Sequence, residues 1–292
     1  MTSPITPPPN PPVVIIGAPR SGTNALRDVL TSLSGFVSWP CDEINYVWRH
    51  GNARHPDDEL APEQARPAVR RYVRRRFHRL SRRRRAARVV EKTCANSLRV
   101  AFVDRILPEA RFLFLVRDGR DATASAMRLW RAGIDIGYLA RKARFVPGTD
   151  LPYYALRFVT HRMRQAISRE RRLPTWGPRF PGLDTRLRED GLAVACAAQW
   201  SRCVGRAHAE LAALPQERVL RLRYESFVED PGAELVRIAG WLGVDVPAET
   251  VHRTIAPVTS AHRGRWRERL TAAEIAKVAP ILDPVLAQQG YA

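Results

Sequence analysis

Short apolar runs punctuate this chain, and between them the apolar residues return at helical rather than alternating spacing. Residues 13–16 (Val-Val-Ile-Ile) and 111–116 (Arg-Phe-Leu-Phe-Leu-Val) have the continuous hydrophobicity of strands buried on both faces. Residues 88–90 and 219–222 are further short strand candidates. Ala25, Leu26, Val29, Leu30 and Leu33 follow a helical repeat directly after the first run, and residues 193–214, 234–242 and 272–288 also read as helices. Alternation of this kind predicts an α/β fold with parallel strands and crossover helices. Gly137, Pro147, Gly148, Pro152, Pro174, Gly177, Pro178, Pro181 and Gly182 break the pattern, so residues 131–190 are expected to form an insertion of loops and short helices. Residues 1–12 are Pro-rich and read as a flexible N-terminus. Neither an internal repeat nor a second boundary divides the remainder, which predicts one domain over residues 13–292, with acceptor-side insertions near 39–88 and 131–190.

The junction between the first strand and the first helix carries the chemistry. Gly17-Ala18-Pro19-Arg20-Ser21-Gly22-Thr23-Asn24 keeps the Gly-x4-Gly spacing of a nucleotide-phosphate loop. Thr23, however, stands where an NTPase needs its lysine, and Asn24 where it needs the magnesium-binding hydroxyl. A standard NTPase is thereby disfavoured, but phosphate binding is not. The glycines let the backbone approach an anion, the first N–H groups of the following helix point at it, and Arg20 brings a cation from within the loop.

The run 111–116 delivers Arg117-Asp118-Gly119-Arg120-Asp121 at its carboxyl end, with Ser125 eight residues after Arg117 on the next helix. Both loops therefore meet at one sheet edge. Together they resemble the sulfotransferases that use 3′-phosphoadenosine-5′-phosphosulfate (PAPS), most closely the bacterial and tyrosylprotein branches. The resemblance implies a P-loop NTPase-like three-layer fold with a central parallel sheet flanked by helices. It also implies an enzyme that moves a sulfuryl group to a hydroxyl or amine and releases 3′,5′-ADP without a metal. Arg20, Ser21, Gly22, Thr23 and Asn24 would then hold the 5′-phosphosulfate, and Arg117 and Ser125 the 3′-phosphate.

Further segments extend the resemblance in order from about residue 13 to 270. Lys92 in Glu91-Lys92-Thr93 matches the strand-end lysine that contacts the transferring group, and Tyr224 lies in a Tyr-Glu segment near the nucleotide. Arg265 and Trp266, which follow Pro257-Val258 with Trp266 nine residues after Pro257, are similar to a closing basic-Trp segment over the cofactor. Cytosolic members place a histidine two residues after the lysine, where this chain has Cys94. The base is therefore expected elsewhere, at Glu43, because Trp39-Pro40-Cys41-Asp42-Glu43 resembles the region carrying the catalytic glutamate of tyrosylprotein sulfotransferases; helix capping by Asp42 or Glu43 is the other reading. Arg20 and Lys92 would meet the charge that builds on the leaving nucleotide. His50 and His55 lie near Glu43 in sequence. His161, His208 and His252 carry no motif, and His262 sits beside the closing segment. Arg120 and Asp121 read as structural ion-pair residues, and Arg128 lies one position away from a family arginine.

Charge adds one feature. The net +19 is almost all arginine, since only Lys92, Lys142 and Lys277 are lysines, and residues 66–88 hold twelve arginines interleaved with Val69, Tyr72, Val73, Phe77 and Leu80 at helical spacing. Such a helix is either a solvated face or a basic wall for an anionic acceptor, a membrane surface or another anion. Two other functions fit parts of the chain: a divergent P-loop kinase, which leaves Arg117 and Ser125 unexplained, and a nucleic-acid-binding protein, for which no recognition motif is present. Cys41, Cys94, Cys196 and Cys203 have no metal-ligand spacing, and free thiols are expected. With no apolar targeting or membrane-spanning run, the reading is a cytoplasmic protein for which peripheral membrane contact stays open. The acceptor classes left open are a small molecule, a glycan, a lipid-linked glycan and a peptide tyrosine.

Overall fold

Five strands line up in parallel in the computed structural model, which describes residues 10–85, 88–131, 145–150 and 176–291. They are β1 (Val13–Ile16), β2 (Phe36–Val37), β3 (Arg88–Lys92), β4 (Arg111–Val116) and β5 (Val219–Arg223), in the order β2-β3-β1-β4-β5. Thus β1 lies at the centre, with Val13 opposite Val90 on one side and Arg111 on the other. Strand period then sorts the core into two layers. Val14, Ile16, Phe112 and Phe114 face one cluster, while Val13, Ile15, Leu113 and Leu115 face the other.

The second layer is covered by α1 (Thr23–Thr31), through Leu26, Val29 and Leu30, and by the helices Tyr224–Glu229, Pro231–Leu242 and Ala248–Ile255. The first is covered by α2 (Asn45–Trp48), α3 (Pro67–Arg84), α4 (Val100–Ile106), α5 (Gly119–Arg131) and the long helices Leu192–Ala212 and Ala272–Gln288. The three-layer α/β architecture matches the expectation. Strand β2 left no pattern in the sequence, because two residues are too few for a period. Of the expected insertion, residues 132–144 and 151–175 lie outside the described residues, as do residues 1–9 of the Pro-rich N-terminus. Gly182, at φ 85°, starts the helix Leu183–Glu189.

Beneath the site a buried polar cluster fixes the segments that follow β2 and β3. The side chains of Thr93 (2.5 Å), Trp48 (3.1 Å) and Asn96 (2.9 Å) all donate to the carboxyl group of Glu91 on β3. Ile44 N in turn donates to Thr93 Oγ1 at 3.2 Å, which ties the segment carrying Glu43 to the end of β3. Arg99 bridges Asn96 and Asn45, at 2.9 and 2.5 Å, and reaches Asp58, which also binds Arg49 and the backbone of Arg179. Arg49 and Arg99 hold the Asp58 carboxylate below its ordinary pKa despite burial.

Glu91 goes the other way. Burial raises its pKa from 4.5 to about 7, against the pull of its donors and of Lys92. The folded state therefore keeps a proton that the unfolded chain releases above pH 4.5. That sign makes stability fall as pH rises from about 5 to 7 and level off beyond, by on the order of 3 kcal/mol for this group. In denaturant titrations from pH 5 to 8, Glu91→Gln should flatten this part of the curve relative to the parent. Parallel curves for the two proteins would remove Glu91 as the source.

Candidate active site

The loop after β1 turns back sharply. Arg20 (φ 67°) and Gly22 (φ 85°) both take left-handed backbone conformations, and Ser21 N donates to Ala18 O at 3.2 Å. At residue 22 glycine is required twice over, since a Cβ would lie 2.4 Å from the Tyr224 ring. No side chain caps α1 at Gly22, so the first N–H groups of the helix are left without a capping side chain at the end of the loop. Among the described residues, Ser21 Oγ, Asn24 Oδ1, Thr123 Oγ1 and Arg117 Nε are shielded from solvent without a hydrogen-bond partner. Two of these belong to the loop and its helix, and two to the facing segment. The two hydroxyls and the Arg117 Nε–H are donors of the kind an anion accepts from, whereas Asn24 Oδ1 is an acceptor and needs a donor such as a ligand hydroxyl or amine.

The facing segment is the β4–α5 junction. Arg20 Nε donates to Ser125 Oγ at 3.0 Å, and Arg117 Nη1 donates to Arg20 O at 3.0 Å. Tyr224 lies beneath, its ring 4.3 Å from the Arg117 guanidinium carbon. Burial, and then the nearby cations Arg117 and Arg128, lower the pKa of Arg20. These like charges are crowded together, an arrangement that an anion would relieve. Gly119 lets α5 start directly against Trp200, whose ring would lie 2.7 Å from a Cβ there, and Trp200 Nε1 donates to Arg117 O at 3.2 Å.

Asp121 has a larger part than its sequence context suggests. It accepts from Gly264 N at 2.6 Å and from Trp266 N at 2.9 Å, and it pairs with Arg117 at 3.7 Å. Arg117 Nη2 also donates to His262 O. The closing segment is therefore held over the β4–α5 junction by its backbone. Trp266 stacks between Arg120 and Arg267, at 4.8 and 4.6 Å, while Arg120 pairs with Asp118. Arg265 points outward, half-exposed, and pairs with Glu268 at 3.3 Å. On the far side Glu225 accepts from Asp118 N at 3.0 Å and from the Tyr291 hydroxyl at 2.6 Å, and that hydroxyl also lies 3.1 Å from Val116 O. Sequence reasoning missed Tyr291 and the anchoring by Asp121, because their partners lie between 66 and 175 residues away.

At the end of β3 stands an ion pair. Lys92 Nζ lies 3.3 Å from Glu43 Oε1, which also accepts from Cys94 N at 3.2 Å. Burial disfavours the ammonium, yet Glu43 and Asp42 outweigh it and raise the pKa of Lys92. Burial, with Glu43 beside it, pushes the Cys94 thiol up to about 12, so the group stays protonated at neutral pH. Cys94 Sγ approaches Thr23 Oγ1 at 3.8 Å, which brings the lysine end of β3 against the phosphate-type loop. Arg27 of α1 reaches Asp42, at 3.5 Å to its carboxylate, and holds the Glu43 segment from the other side.

Glu43, Lys92, Arg20, Ser21, Gly22, Thr23, Asn24, Arg117, Ser125 and Tyr224 thus gather at one sheet edge, with Trp266 above and Arg265 turned away. His50 is engaged by Asp150 at 3.0 Å and by the Tyr72 ring, and His55 by Asp57. All four cysteines are free, and the described residues hold no cluster suited to a metal ion and no helix long and apolar enough to cross a membrane.

Residues 11–175 and 155–248 match the Sulfotransferase family. No curated protein matches the chain. Among solved structures, the sulfotransferase domain of the Synechococcus PCC 7002 olefin synthase shares 18% identity at a TM-score of 0.54, over 97% of this chain and 97% of that one. The sulfotransferase STF9 of Mycobacterium avium shares 16% at 0.55, over 97% and 78%. A mouse sulfotransferase complexed with PAP shares 13% at 0.50, over 95% and 84%. These three share the fold, and the family match covers most of the sequence: the chain belongs to the sulfotransferase family.

Proposed function

We propose that this sulfotransferase takes its sulfuryl group from PAPS and transfers it to a hydroxyl or amine, with Arg20 to Asn24 and Arg117, Ser125 and Tyr224 holding the nucleotide and Lys92 and Glu43 serving the transfer. The observation that carries the reading is the meeting of two anion-seeking loops, bridged by the Arg20–Ser125 and Arg117–Arg20 contacts, around polar atoms that lack partners within the protein. When bound, PAPS supplies an activated sulfuryl group whose transfer leaves 3′,5′-ADP.

The residues divide the work by position. The N–H groups opening α1, with Arg20, receive the 5′ side; Arg117 and Ser125 receive the 3′-phosphate by charge-assisted and hydroxyl hydrogen bonds; Tyr224 supports Arg117 from below. Lys92 and Glu43 act as a coupled pair. In this reading, the carboxylate of Glu43 takes the acceptor's proton and is neutralised. Lys92 then loses its partner as negative charge develops on the leaving oxygen, so its ammonium is free to meet that charge. Cys94, protonated and buried, is unsuited to the base role that histidine fills in cytosolic members. Trp266 and the Asp121-anchored backbone cover the nucleotide side, whereas Arg265, paired with Glu268 and turned outward, takes no part in this arrangement.

Ligand protection tests the nucleotide assignment. A saturating dose of 3′,5′-ADP, about 100-fold above its Kd, should stabilise the protein by about 2.7 kcal/mol, whereas ATP with magnesium should not; the reverse pattern would favour a kinase. In calorimetry, Arg117→Ala and Ser125→Ala should each weaken 3′,5′-ADP binding, by on the order of 1 to 3 kcal/mol, with the arginine change costing more. Parental affinity in both variants would sink the 3′-phosphate assignment. For the transfer step, Glu43→Gln should keep 3′,5′-ADP affinity while kcat drops roughly 10² to 10⁴-fold on an acceptor identified with isotopically labelled PAPS. Lys92→Ala should also slow turnover, and near-parental kcat in Glu43→Gln would rule that carboxylate out as the base.

A further inference from the structure

Helix α3 carries a charge pattern that the active site does not use. Its Val69, Val73 and Phe77 seam is buried against β2, β3 and α4. Between Pro67 and Arg84 there is no acidic residue. Arg71, Arg75, His78, Arg79, Arg82, Arg83, Arg84 and Arg85 are all exposed. Within the run, Arg74 pairs with Glu109, but among the described residues Arg71, Arg75, Arg79, Arg82 and Arg83 have no carboxylate partner. Arg71, Arg75, Arg79 and Arg83 stand four apart on one face, where like charges repel and disfavour the helix. Arg75, His78, Arg79, Arg82 and Arg83 together line a shallow depression of about 410 Å³.

Position separates this face from the reaction. The helix leads into Arg88 at the start of β3, whereas Lys92 ends that strand, so the Arg82–Arg85 end lies towards the sheet edge opposite the active site. An acceptor held at Lys92 cannot be the group this end meets. From Arg71 to Arg85 the charges run on the order of 20 Å along the axis, at about 1.5 Å per residue. A row of that length answers to a repeating array of phosphates, which arginine forks bind well. Between Pro67 and Arg84 the helix has no Asn or Gln of the kind that reads adenine edges in a duplex groove, so its outward face is a row of charge without a mixed base-reading set. The outward face also offers no aromatic platform for single strands, since Phe77 points inward and Tyr72 is stacked on His50.

We propose that the outer face of α3 docks this enzyme on an anionic lipid bilayer, an electrostatic attachment separate from catalysis. A cluster of this size is within the range that binds acidic lipid surfaces without apolar insertion.

Vesicle co-sedimentation of the full chain tests the proposal. The parent should bind phosphatidylcholine vesicles containing about a third phosphatidylserine far better than pure phosphatidylcholine, and should be released at about 0.5 M salt, where screening is short-ranged. Arg75→Gln, Arg79→Gln, Arg82→Gln and Arg83→Gln together should lower the partition coefficient at least roughly 30-fold, from the loss of four surface contacts. Binding of 3′,5′-ADP should stay unchanged, so failure here is distinguishable from failure of the nucleotide assignment. A matched variant with Arg105, Arg186, Arg188 and Arg253 changed to Gln removes the same charge from other exposed positions and should keep most of the vesicle binding. Should the α3 quadruple variant not fold, Arg79→Gln with Arg83→Gln should still cost about fivefold or more. The proposal is overturned if the parent ignores phosphatidylserine, if the matched variant loses as much binding as the α3 variant, or if duplex oligonucleotides at equal phosphate concentration displace the vesicles.

Discussion

Arg117 is the point on which the site is hung. Its guanidinium donates to the carbonyl groups of Arg20 and His262, pairs with Asp121 and lies over Tyr224, so one buried cation joins the phosphate-type loop, the β4–α5 junction, the Tyr-Glu helix and the closing segment. Burying such a charge is costly unless it is well partnered. The partners here are mostly backbone carbonyls and an aromatic face, with one carboxylate at longer range. That leaves net positive character directed into the site, and a cation fully neutralised by close carboxylates would have little attraction left for an anionic ligand.

The Lys92–Glu43 pair applies the same economy of charge in another way. Both groups are held in place before any ligand arrives, the lysine by burial at the end of β3 and the glutamate by Cys94 N and by Ile44's bond to Thr93. In the proposed transfer, preorganisation of this kind removes the cost of orienting the two groups. The buried Glu91 cluster is the foundation below them. It links β3 to the segment after β2 through the bonds of Trp48 to Glu91 and of Ile44 N to Thr93, where the sheet itself provides only the two-residue contact of Phe36 and Val37.

How much of this was legible in the sequence follows the range of the interactions. The loop from Gly17 to Asn24, its strand and its helix are local, and their spacing is written between Val13 and Thr31. Arg117 and Ser125 sit two turns apart on one segment, so their pairing with the first loop followed once both strands were read as parallel neighbours. Asp121 read as a structural ion-pair residue, and it does pair with Arg117, but its bonds to the N–H groups of Gly264 and Trp266 carry no side-chain signature. Tyr291 and Glu225 are joined across 66 residues, and nothing near either one announces the other. Resemblance named Glu43 and Lys92 as neighbours of the reaction, but it could not supply the 3.3 Å bond between them.

The central place of β1 bears on how the protein is made. Its two neighbours, β3 and β4, begin at residues 88 and 111, so the strand that launches the first loop emerges from the ribosome with neither partner yet synthesised. At ordinary elongation speeds of about 5–20 residues per second, the roughly 100 residues up to β4 take on the order of 5–20 s. For most of that interval, until β3 follows, Val13–Ile16 is an apolar segment with neither pairing partner made, the kind that chaperones hold. The strand that launches the phosphate-type loop thus finds its pairing only after partners far along the chain have been made.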